Sequence, residues 1–173
     1  MRSYSFLLIF IFLVSCSTPR ALYDYDDQVN FSNFRTYSIY PELQTGLSQL
    51  DDNRLITSLE SALRSKGLSP SENPDLYVNI YSEEFRESNQ SRLGVGVGGG
   101  RGNVGVGISG GIPLGGADTY LRLTFDLIDA KKDALVWQAV VESSFDPNAS
   151  PEIRQKKFDL IVAEALKGYP PRK

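Results

Sequence analysis

Histidine is absent from this 173-residue chain, and cysteine occurs once, as Cys16. Without imidazole the chain lacks the commonest general base, the commonest zinc ligand and the usual partner of a nucleophilic serine or cysteine. A single thiol rules out an intramolecular disulfide. Basic stretches are missing too. Lys and Arg total 18 against 21 Asp and Glu, a formal charge of −3, and no cationic cluster offers a nucleic-acid surface. No Gly-x-Ser-x-Gly nucleophile elbow is present. These gaps argue against most enzyme classes, so no catalytic residue, cofactor or metal is assigned. The rest is ordinary for a folded protein. Apolar residues make up 41% and charged residues 23%, enough to build a core. The length suits one domain.

The N-terminus reads as an address. Arg2 supplies a positive start, and Phe6 to Val14 is an unbroken apolar run. That run falls short of the ~20 residues a spanning helix needs, and it fits the core of a signal peptide. Leu13-Val14-Ser15-Cys16 resembles a bacterial lipobox, in which the Cys thiol receives diacylglycerol and cleavage before it frees an amine for a further acyl chain. The only cysteine stands where that chemistry requires one. The expected layout is a signal peptide over 1–15, a lipidated tether over 16–20 and one domain over 21–171. Two or three acyl chains anchor stably where one is marginal. In enterobacterial lipoproteins an Asp after the Cys retains the protein in the inner membrane. By that resemblance Ser17 favours the outer membrane of a Gram-negative envelope, with the domain facing the periplasm.

Beyond the tether, 21–26 and 34–40 alternate as strands, the second rich in aromatic and β-branched residues. Residues 27–33 and 42–50 read as polar connections. Asp51 or Asp52 is expected to cap a helix to about Lys66, with Leu55, Ile56, Leu59, Ala62 and Leu63 on its apolar side and Gly67 closing it. After a turn-rich linker over 69–74, Leu76, Val78 and Ile80 alternate with Tyr77, Asn79 and Tyr81, predicting a long strand over 75–87 with one buried face. Residues 119–145 alternate twice about a polar turn at 129–133 and predict a β-hairpin. Ser150-Pro151-Glu152 opens a last helix, with Ile153, Phe158, Ile161, Val162, Ala165 and Leu166 on its apolar side. The order β, β, α, β, β, β, α predicts an α+β two-layer sandwich: a mainly antiparallel sheet with both helices on one face.

Several of these segments resemble one family. Tyr23-Asp24-Tyr25-Asp26 with 30–37, the hairpin segment 121–130 with Leu135-Val136-Trp137, and the ending 165–171 are similar to the DUF4136 family of bacterial lipoproteins. Pro74-Asp75-Leu76 matches its third strand start loosely. Gln138-Ala139 departs from the Arg-Gly the family tends to carry after the Trp. The resemblance implies a lipoprotein with an α+β domain and no known activity.

Residues 94–116 hold 12 of the 15 glycines. Gly94-x-Gly96-x-x-Gly99 and Gly105-x-Gly107-x-x-Gly110 match the dinucleotide string, but no helix follows to receive a pyrophosphate. The segment reads as a hairpin tip extending the sheet, a loop or a glycine-zipper piece that packs on a membrane. Asp24 and Asp26 share a strand face and suggest a solvated surface, or a carboxylate site acting on envelope glycans. If helices cover the Leu76/Val78/Ile80 face, the opposite face carries Tyr77, Asn79 and Tyr81. With Arg101 these are the candidate contacts to an envelope protein or glycan. The leading expectation is a non-enzymatic interaction module held to the membrane by lipidated Cys16. The alternatives are a structural or membrane-perturbing lipoprotein and the carboxylate enzyme.

Overall fold

The computed structural model describes residues 19–87 and 118–171, so Cys16, the tether before residue 19, Arg101 and the glycine-rich segment lie outside the described residues. Strands β1 (Arg20–Tyr25), β2 (Thr36–Ile39), β3 (Ser69–Pro70), β4 (Leu76–Glu87), β5 (Asp118–Asp129) and β6 (Ala134–Ser144) join helices α1 (Gln49–Ser65) and α2 (Pro151–Ala165). The sheet order is β1-β6-β5-β4-β2-β3. β4, β5, β6 and β1 pair antiparallel, while β2 runs parallel to both β3 and β4. The α+β architecture with a mainly antiparallel sheet is as the patterning predicts.

Alternation decides which side chains go inside. In register, Val78, Leu127 and Trp137 lie side by side on one face, as do Ile80, Phe125 and Ala139. All are buried, together with Leu55, Leu59 and Leu63 of α1 and Phe158, Ile161, Val162 and Ala165 of α2, in one core. Each such aliphatic or aromatic side chain removed from water contributes roughly 1.5–3 kcal/mol. The two helices pack against each other on this inner face with their N-termini at the same end. Arg154 reaches Asp51, and the Ser58 hydroxyl donates to Asp159 at 2.6 Å one to two turns further on.

Local expectations need four corrections. Neither Asp51 nor Asp52 caps α1. The cap is Ser48, which accepts from the Asp51 N–H and donates its hydroxyl to the Asp51 carboxylate at 3.0 Å. This Ser-x-x-Asp sequence matches the capping-box pattern, and the cap starts the helix at Gln49, within the segment read as loop. Residues 69–74 are not only a turn, because Ser69–Pro70 adds β3 beside β2. Strand β2 starts at Thr36, after a single 3₁₀ turn at Phe31–Asn33 capped by the Asn30 side chain. Finally, Ile153 does not join the core: it is exposed in the first turn of α2.

Two connections fix the β2 side of the sheet. Asp75, just before β4, accepts from the Arg35 and Thr36 N–H groups at 3.0 and 3.1 Å and from the Thr36 hydroxyl at 3.0 Å. Those bonds hold its carboxyl below the usual range, with the Arg35 amide contributing most. On the other flank, Thr45 accepts from the Ser82 N–H at 2.8 Å, so the loop before α1 continues the edge beyond β2. Gly46 makes that turn possible with φ +84, a conformation that disfavours a Cβ.

Candidate functional site

Because both helices lie on one side, the opposite face of the sheet has no second layer among the described residues. Strand registry places its side chains in cross-strand rows. Glu83, Arg122 and Glu142 form a charged row. The Arg122 guanidinium meets Glu142 Oε1 at 2.7 Å and Glu83 Oε2 at 3.2 Å and lies 5.1 Å over the Phe85 ring. The Glu142 bond first, then the Glu83 bond, shifts Arg122 further toward the protonated form. Phe85 stacks on Tyr120, with ring centroids 5.6 Å apart, next to this row.

The next row runs Tyr81, Thr124, Val140, Leu22. Tyr81 is 42% exposed, whereas Thr124 is buried between its neighbours. Below it come Asn79, Asp126, Gln138 and Asp24, with the Gln138 amide donating to Asp126 at 2.7 Å. Tyr77 follows, packed edge-to-face against Tyr40 at 5.7 Å. Three of the four proposed contact residues, Tyr77, Asn79 and Tyr81, therefore do share the uncovered face. The fourth, Arg101, lies outside the described residues.

The surface is amphipathic in a graded way. One end is charged and internally paired, the middle offers amide and carboxylate hydrogen-bonding groups, and the far end offers tyrosine rings. Such a face has hydrogen-bond donors, acceptors and apolar area within one plane, the combination used to dock a protein or a sugar. Sequence reading found the tyrosine column but not Arg122, Glu142, Phe85, Gln138 or Tyr40 as its neighbours. The signal was the polar alternation of Arg122, Thr124 and Asp126, which becomes informative only once the β4–β5 register is known.

Asp24 and Asp26 keep one register against β6, opposite Gln138 and Val136. β1 ends at Tyr25, so Asp26 falls past the strand and accepts from the Gln28 N–H at 2.9 Å. Asp24 accepts from the Tyr25 N–H at 2.9 Å, and both residues are exposed. Among the described residues no group of three or more His, Cys, Asp or Glu is placed to hold a metal ion. No described helix is long and apolar enough to cross a membrane.

Comparison with solved structures gives the same fold at low identity. A PDZ domain protein from Parabacteroides distasonis is 16% identical with a TM-score of 0.50 over 91% of this chain. That match covers 38% of its length, so this chain spans about two fifths of that protein. PelC from Paraburkholderia phytofirmans, solved as a dodecamer, is 13% identical with a TM-score of 0.53, covering 90% of this chain and 99% of its own. No curated protein sequence matches significantly. The profile of a domain of unknown function, DUF4136, matches residues 22–171, nearly the whole of the chain and all of its described strands but the first two residues of β1; the protein belongs to the DUF4136 family.

Proposed function

We propose that this protein is a non-enzymatic lipoprotein of the Gram-negative outer membrane, tethered through Cys16, that docks an envelope protein or glycan on the uncovered face of its sheet. The observation that carries the reading is the face itself. Among the described residues, six strands are covered by helices on one side only, and the other side gathers Tyr40, Tyr77, Asn79, Tyr81, Asp126 and Gln138 with no described layer over them. The lipobox-like Leu13-Val14-Ser15-Cys16 supports the tether. The 16–20 segment is short, so an anchored domain stays close to its membrane and meets partners attached to the same envelope.

Crosslinking in intact envelopes tests it. Tyr81→Ala and Asn79→Arg alter exposed or half-exposed positions outside the core and leave the fold intact. The expected result is loss of the crosslinked partner band, or of binding to isolated wall glycan, in both variants. Unchanged crosslinks and unchanged glycan binding in folded Tyr81→Ala/Asn79→Arg protein would remove the sheet face from consideration.

A further inference from the structure

The two edges of the sheet are unlike. One ends in β3, two residues long and containing Pro70, which cannot donate to a further strand. The other is β1, six residues from Arg20 to Tyr25 with no proline and no bulge against β6. Edges of this second kind are ready to add a strand, and natural proteins usually blunt them. Leu22, on β1, is 76% exposed, the most exposed large apolar side chain among the described residues.

Backbone parity shows which groups are open. The Asp26 N–H donates to Val136 O at 3.1 Å, in the same antiparallel register that pairs Leu22 with Val140. Even-numbered residues of β1 therefore turn their peptide groups to β6, and odd-numbered ones turn theirs outward. The outward Tyr25 N–H is satisfied by the Asp24 carboxylate. Among the described residues that leaves the N–H and C=O of Ala21 and Tyr23, with the Tyr25 C=O, as the open groups of the edge.

We infer that β1 pairs antiparallel with β1 of a second copy of this chain, centred on Leu22. In that register Ala21 meets the second copy's Tyr23 and Tyr23 meets its Ala21. The N–H and C=O of Ala21 and Tyr23 are all used, in four hydrogen bonds. On the outer face Leu22 meets itself across the two-fold axis, and Arg20 stands opposite Asp24 in both directions. These two charges are free to pair. Among the described residues Arg20 forms no ion pair, because the Glu142 opposite it is held by Arg122, and Asp24 bonds only the neighbouring amide. Moving the register by the next allowed step would set Leu22 against Asp24, so the charges and the apolar residue select the same alignment. The two sheets then form one continuous sheet of twelve strands, joining their uncovered faces. This pairing uses the edge of β1 and does not depend on what the sheet face binds.

The test is the molar mass of the full-length protein in detergent, by light scattering across a dilution series. The wild type is expected to be a dimer. Arg20→Asp or Asp24→Arg places like charges in both cross-strand pairs and is expected to weaken the dimer by roughly tenfold or more, while the double variant R20D/D24R restores it. Both residues are exposed, and far-UV circular dichroism checks that each variant is folded. In a Cys16→Ser background, Leu22→Cys is expected to crosslink to itself on mild oxidation, since directly opposed residues of this type lie about 4.5 Å apart at Cα. A wild type that is monomeric throughout, a mass unmoved by R20D, a double variant no better than the singles, or failure of the cysteine to crosslink would overturn the pairing.

Discussion

Asp51 in the first turn of α1 and Arg154 in the first turn of α2 form an ion pair between the two helices, with the Asp51 side chain only 3% exposed. The same carboxylate receives Arg54 Nη1 at 2.7 Å and the Ser48 hydroxyl at 3.0 Å. One buried acid thus holds the cap residue of its own helix and docks the other. Removing it strands Arg154 in a partly buried site, where an orphaned charge is costly. Asp51→Ala is expected to lower the unfolding free energy by about 3 kcal/mol, read from urea denaturation followed by circular dichroism. A loss below about 1 kcal/mol would show that the helices dock without this contact.

The Asp75 clamp gives the fold an acid dependence. Its carboxyl is held below its ordinary value by the Arg35 and Thr36 donors. A carboxylate with a depressed folded pKa stabilises fully above its unfolded value, near 4, and the contribution is lost as pH falls through the folded value. Asp75→Asn is expected to be less stable than wild type by about 2 kcal/mol at neutral pH. The difference should shrink below about pH 4. Denaturation midpoints at pH 7, 4 and 3 read this directly; a gap that stays constant with pH would mean that the ionised form is not what Thr36 and Arg35 bind.

Cys16 is the only thiol and so the only acceptor for a thioether-linked lipid. Cys16→Ser keeps a small hydroxyl residue but removes that chemistry. The variant is expected to remain as an unprocessed precursor, or to become soluble in the periplasm if another peptidase cleaves it. Its domain should fold as in the wild type, because residue 16 precedes every strand and helix described. Intact mass and detergent-phase partitioning decide. Wild-type protein without acyl mass, or a processed variant that still enters detergent, rejects the anchor.

What the sequence discloses follows from the range of the interaction. The β5–β6 hairpin was legible because Leu121, Leu123, Phe125 and Leu127 alternate within a single segment. The α2 start was legible because Ser150, Pro151 and Glu152 carry their capping signals in three consecutive residues. The α1 start was misplaced although Ser48 and Asp51 were equally local, since the polar stretch before them masked the capping box. Register was beyond reach. That Arg122 should lie between Glu83 and Glu142, or that Asp75 should gather the backbone of Arg35 and Thr36, depends on pairings across 20 to 40 residues. Likewise, nothing local in 20–25 announces that this strand belongs beside β6 rather than beside β2.

That placement of β1 governs the order in which the molecule can be assembled. Its pairing partners run from Trp137 to Glu142, and the Tyr23 ring rests on Gly168 while its hydroxyl donates to the Glu164 carbonyl, 141 residues away. The first strand made is therefore among the last to find its place. A nascent chain halted at residue 133 has no neighbour for it, and closing so long a loop is slow. Until β6 has been made the N-terminal segment has no strand to pair with, and until α2 follows the Tyr23 hydroxyl has no Glu164 carbonyl to bond.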